Sequence, residues 1–160
     1  MVRRLWAPWR MQYILENDSS NECFLCVAGK SDDDRANLVV YRREHCFCIL
    51  NRYPYNNGHV MIAPYAHKAD LCDLDDAERV EMMQALCDIE SRLREAVDPH
   101  GFNIGINIGR VSGAGLPGHL HFHVVPRWQG DTNFMPVLAD TKVIPQALED
   151  VFDLLTKQDR

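Results

Sequence analysis

The chain has 160 residues, of which 46% are hydrophobic and 25% charged, and a formal net charge of −6. That length fits one domain with a sizeable core, and the negative charge excludes retention on nucleic acid by a general basic surface, although a local pocket can still be positive. No stretch reaches the ~18 apolar residues of a membrane span and the first residues lack the apolar core of a signal peptide, so no membrane contact and a cytoplasmic location are expected.

Residues 1–20 are expected to form an N-terminal arm, with 21–160 as a single domain. The arm carries Leu5, Trp6, Trp9, Tyr13 and Ile14, too much apolar surface to leave in water, and Pro8 can open a short helix to about Leu15. Cys23-Phe24-Leu25-Cys26 follows. With six cysteines and no export signal, thiols are expected rather than disulfides, and this pair can be half of a metal site, a redox pair or coincidence. Ser31-Asp32-Asp33-Asp34-Arg35 reads as a charged, solvated loop. Leu38 to Arg42 and Cys46 to Leu50 read as strands joined by a hairpin at Arg43-Glu44-His45, and His59 to Ala63 as a third strand after a turn-rich segment.

The longest helix is expected over about Asp76 to Val97, with Asp75 or Asp76 as N-cap. Its core stripe is expected at Val80, Met83, Leu86, Cys87, Glu90 and Leu93, at helical spacing. Phe102 to Ile108 alternates, with Phe102, Ile104, Ile106 and Ile108 on one face and Asn103, Gly105 and Asn107 on the other; Gly105 keeps that second face shallow. A four-glycine loop, Gly109 to Gly118, then supplies backbone N–H groups that can cradle an anion. It runs into His119-Leu120-His121-Phe122-His123-Val124-Val125-Pro126. Strand alternation sends Leu120, Phe122 and Val124 into a core and aligns His119, His121 and His123 on the opposite face, about 7 Å apart. Such a row binds a metal or performs acid–base or nucleophilic chemistry. A last helix, about Pro145 to Leu155, packs Leu148, Val151, Phe152 and Leu155. The order β-β-β-α-β-β-α predicts an α+β fold: an antiparallel sheet with two main helices on one side.

His119 to Val125 resembles the signature of the histidine triad (HIT) family, His-φ-His-φ-His-φ-φ with φ apolar, and Asn51, Gly58-His59, the long helix and Asn107 agree with it. Leu5-Trp6-Ala7-Pro8-Trp9-Arg10 and the tract from Pro126 through Pro136 are similar to those of bacterial diadenosine polyphosphate phosphorylases within the Fhit-like branch. The resemblance implies a homodimer across the long helix and an adenine nucleotide or dinucleoside polyphosphate substrate. It makes His121 the nucleophile on an α-phosphate, assisted by His123 and His59. Asn51 would take the ribose hydroxyls, and Asn107 with backbone amides near Gly115, Leu116 and Pro117 the phosphate. Zinc-bearing relatives imply a structural Cys₂His₂ zinc at Cys23, Cys26, His67 and His119. Fhit-like hydrolases carry Gln followed by Ser or Thr before the triad, where this chain has Gly115-Leu116-Pro117. Leaving-group contacts are therefore expected from backbone amides or from Arg110, Ser112, Gln129 or Asn133, with Arg127 as a further donor, and phosphate is expected as acceptor ahead of water. The alternatives are a dinucleoside polyphosphate or phosphoramidate hydrolase, a nucleotide-sensing module with little turnover, and a metalloenzyme with its metal on the histidine row.

Overall fold

A computed structural model describes residues 22–132 and 143–157. The N-terminal arm and Asn133 lie outside these residues. Five antiparallel strands form one sheet: β1 (Val39–Arg42), β2 (Cys46–Leu50), β3 (Val60–Pro64), β4 (Gly101–Ile106) and β5 (Phe122–Arg127), in the spatial order β1-β2-β3-β5-β4. The first three are sequential neighbours. β5, which carries His123, then inserts between β3 and β4, so the strand that the histidine run leads into is paired on both sides and β4 lies at the edge. The expected α+β class and antiparallel sheet are what the structure has.

Helices α1 (Phe24–Lys30), α2 (Asp34–Asn37), α3 (Asp76–Val97) and α4 (Leu148–Thr156) complete the described part. Two of them, α1 and α2, were not expected, and the segment Ser31–Arg35 is more than a solvated loop. The Arg42 guanidinium donates to the carbonyls of Ala28, Gly29 and Ser31 and pairs with Asp34 at 2.7 Å. Arg35 pairs with Asp153 of α4. Leu25 and Ala28 bury one face of α1 in the core, so these short helices exist through tertiary anchoring, which propensity does not register.

The helix α3 spans the expected residues and opens with a capping box: Asp75 accepts from the Glu78 amide and Glu78 accepts from that of Asp75. Its buried stripe differs from expectation. Met82, Ala85, Leu86, Ile89 and Leu93 are buried, whereas Val80 and Met83 are 57% and 55% exposed and Cys87 is exposed. Polar anchors set the rotation. The Glu81 carboxylate accepts from the amides of Glu44, His45 and Cys46 in the β1–β2 turn. Glu78 pairs with Lys68, and the Tyr41 hydroxyl donates to the Ala85 carbonyl. Met82, Ala85 and Ile89 thereby join the same buried core as Cys48, Ile62 and Leu120. On β4, Phe102 and Ile106 pack against the core, but Ile104 and Ile108 are 45% and 39% exposed. The last helix begins three residues later than expected and buries Val151, Phe152 and Leu155. Among the described residues no helix is long and apolar enough to cross a membrane.

Candidate active site and metal centre

Three imidazoles, those of His59, His123 and His121, form one continuous row. His59, the residue before β3, stands 3.0 Å (Nε2) from His123 Nδ1, and His123 and His121 meet edge to face with centroids 4.8 Å apart. His119 turns the other way, 5.0 Å from the His67 ring. The core alternation holds: Leu120 and Val124 are buried and Phe122 packs against the core. Regular strand begins only at Phe122, however, so His119 and His121 sit in the extended run leading into it.

Hydrogen bonds fix which nitrogen each ring presents. His121 Nδ1 lies 2.8 Å from the His119 carbonyl; a carbonyl only accepts, so Nδ1 carries the proton and Nε2 the lone pair. Burial lowers the His121 pKa, against the opposing pull of that carbonyl, which keeps the ring neutral at pH 7. The Tyr55 amide donates to His59 Nδ1. Burial, assisted by His123 and His121, pushes the His59 pKa down to about 3, so its single proton is on Nε2 and is donated to His123 Nδ1. Accepting there leaves the His123 proton on Nε2. A backbone amide thus sets the direction of a two-ring chain, giving one imidazole lone pair beside one imidazole N–H. Tyr55 stacks on His59 with centroids 4.7 Å apart and closes the outer side.

The neighbouring strand supplies a bare floor. Gly105 pairs with His123, and a Cβ on it would meet nothing within 4 Å. Asn107 follows the last β4–β5 pair, Ile106↔Phe122, and the same register continued one residue sets it opposite His121. Asn51 reaches this face through Met61, the other cross-strand neighbour of His123; its Oδ1 already accepts from the Tyr53 amide. The loop before the triad turns at Gly109 and Gly113, whose φ angles of 78° and 87° favour glycine. Gly115 is exposed and Leu116 and Pro117 are half-buried. Ser112 Oγ donates to the Gly109 carbonyl, within its own turn.

The fold gives two of the expected donors other surroundings. Arg127 lies four residues along β5 from His123, about 13 Å at the rise of a strand, and it is committed to both Asp131 oxygens and to Asn103 Oδ1. Gln129, farther on, donates its amide to His100 and lines a cavity of about 500 Å³ beside the C-terminal end of α3. The strand runs through Arg127, and the chain turns at Gln129-Gly130.

The second cluster is Cys23, Cys26, His67 and His119, whose ligand atoms all lie within 4.8 Å of one another. Cys23 Sγ is 3.2 Å and Cys26 Sγ 3.4 Å from His119 Nδ1, and Cys26 Sγ is 3.2 Å from His67 Nδ1. His119 Nε2–H donates to the Pro64 carbonyl, so Nδ1 turns its lone pair to the sulfurs. Burial foremost pushes the Cys23 thiol up to about 11; a thiolate there requires a cation. Two soft sulfurs and two imidazole nitrogens at these separations can hold a metal ion with tetrahedral preference. The remaining cysteines are all free, Cys46 and Cys48 buried and Cys72 and Cys87 exposed.

Fold and site together define an α+β protein with an imidazole row on a central antiparallel strand and a Cys₂His₂ centre at the entry to that strand. A HIT domain model matches residues 33–130, and the chain belongs to the HIT family. It is 40% identical to an AP-4-A phosphorylase of Mycobacterium tuberculosis over 98% of this chain and 84% of that protein. Among solved structures it is similar to a zinc-bound histidine triad family protein from Mycobacterium smegmatis, with TM-score 0.68 and 27% identity over 85% of this chain and 91% of that one. A hypothetical histidine triad nucleotide-binding protein from Sulfolobus tokodaii matches with TM-score 0.65 and 26% identity, over 84% and 87% of the two chains.

Proposed function

We propose that this protein cleaves dinucleoside polyphosphates of the diadenosine tetraphosphate type by phosphorolysis, through an adenylyl-histidine at His121. The observation that carries the reading is the 2.8 Å bond from His121 Nδ1 to the His119 carbonyl, which leaves a neutral, unprotonated Nε2. That nitrogen attacks the α-phosphorus; the bond to the bridging oxygen breaks and ATP leaves. As the ring gains positive charge, the carbonyl at Nδ1–H stabilises it. The His123 Nε2–H, aligned by His59, donates to the oxygens that gain negative charge. Inorganic phosphate then attacks the adenylyl group, regenerating His121 and releasing ADP. Asn107 and the backbone N–H groups of Gly115 and Leu116, in the loop that Pro117 continues, bind the reacting phosphate, and Asn51 the ribose. The phosphorylase relative, similar over nearly the whole chain, supports this acceptor.

The metal is zinc, held by Cys23, Cys26, His67 and His119. Four protein ligands leave no open position, so its contribution is structural. A second copy of the chain covers the outer side of β4 with its exposed Ile104 and Ile108, together with Val80 and Met83 of α3; sedimentation as a monomer at micromolar concentration would remove this part of the reading. The deciding experiment follows diadenosine tetraphosphate cleavage as phosphate is varied. ADP and ATP, formed at a rate rising with phosphate, are expected. AMP and ATP at a rate indifferent to phosphate would make the protein a hydrolase, and no turnover would favour a sensing module.

A further inference from the structure

We infer that His119 is a positioning residue for the nucleophile, through which metal occupancy fixes the nitrogen that His121 presents. This rests on the adenylyl-transfer reading above. The sheet cannot do the positioning. The β3–β5 ladder begins at Ile62↔Phe122 and the β4–β5 ladder ends at Ile106↔Phe122, so residues 119 to 121 lie beyond both. Yet the His119 carbonyl is the acceptor that decides the His121 tautomer.

Three tethers hold this short run, and two lead to the metal cluster. The His119 ring is pinned between Pro64 and the two cysteines. The Leu120 amide donates to the carbonyl of Lys68, the residue after the ligand His67, at 2.7 Å. The third, the His119 amide to the Leu116 carbonyl, is a long 3.4 Å turn bond. Gly118 adds a close approach, since a Cβ there would stand 3.3 Å from His67 Nε2. On the far side the cysteines are rooted in the core by Leu25, between them in α1. With metal bound, α1, the His67–Lys68 segment and the entry to β5 are cross-linked at one point, and the peptide after His119 has one orientation. Without it, four ligand side chains lose their common partner, the peptide can rotate, and the His121 ring loses the acceptor that keeps its proton on Nδ1. The centre does for residues 119 to 121 what the ladder does for 122 to 127.

The test compares zinc-loaded protein, protein stripped by chelation, and His67→Ala, which removes the exposed ligand and leaves the His119 ring in place. Zinc content, near-ultraviolet circular dichroism, the His121 ring tautomer by long-range ¹H–¹⁵N NMR, and the rate of adenylyl-enzyme formation are measured on each. The loaded protein is expected to show a single Nδ1–H tautomer. Folded, metal-depleted protein should show a mixture of tautomers and a kcat lower by about tenfold or more, with KM changed by less than about threefold; restoring zinc to the stripped protein should reverse both. A folded, metal-free protein, or His67→Ala without zinc, that retains the single tautomer and the wild-type rate would overturn the inference. Should chelation unfold the wild type, His67→Ala decides. If the loaded protein shows the single tautomer but never forms an adenylyl-histidine, the adenylyl-transfer reading falls while the tautomer comparison still decides the coupling.

Discussion

His59 is fully buried and its imidazole is pushed from an ordinary value of 6.5 down to about 3, by burial first and then by His123 and His121. A histidine held neutral in the fold but free to protonate when unfolded makes stability depend on pH. Between the two values the unfolded chain binds one more proton, so stability is complete above the unfolded value and is lost as the pH falls through this window. The slope approaches 1.4 kcal/mol per pH unit, or about 2 kcal/mol between pH 7.5 and about pH 5, a sizeable part of the stability of a domain this size. The perturbation is His59→Gln, which keeps an N–H near the His123 Nδ1 and cannot titrate. Urea unfolding of both proteins at matched metal content, at several pH values across that interval, gives two curves of stability against pH. Their difference should narrow by about 2 kcal/mol toward the acid end, because only the wild type incurs the proton penalty. Parallel curves would show that His59 is not held neutral by its burial. The tautomer chain from the Tyr55 amide to His123 would then lose its basis.

His121→Ala should abolish turnover while nucleotide affinity stays within about tenfold, ~1.4 kcal/mol; binding of a non-cleavable analogue by calorimetry checks it, and near-normal turnover would refute the nucleophile. Cys23→Ser combined with Cys26→Ser should purify without zinc and melt at a lower temperature, since part of the metal's binding free energy is folding free energy. Zinc-free wild type, after chelator-free preparation, would contradict the assignment. Glu81→Ala leaves the amides of Glu44, His45 and Cys46 without their shared carboxylate, and denaturant unfolding should show a loss of about 2–3 kcal/mol. A change below about 0.5 kcal/mol would mean that water replaces the carboxylate without cost.

Elements whose signal is local were legible in the chain alone. The alternation of His119 to Val124, the cap and length of α3, the β1–β2 hairpin and the stripe of α4 are written in neighbours two to four residues apart. Family resemblance joined Cys23 and Cys26 to His67 and His119, which the fold then brings within 4.8 Å of one another. Rotation, direction and protonation depended on contacts between residues far apart in the chain. Val80 and Met83 offered α3 a stripe as good as Met82 and Ile89, and the choice fell to Glu78 and Glu81 reaching polar partners on Lys68 and the distant β1–β2 turn. β5 was recognisable as a strand, but its place between β3 and β4 followed from pairing with both. The attacking nitrogen depended on where the His119 carbonyl and the Tyr55 amide point. Residue type supplies an imidazole with two alike nitrogens; only a donor or acceptor placed by the folded backbone makes them different.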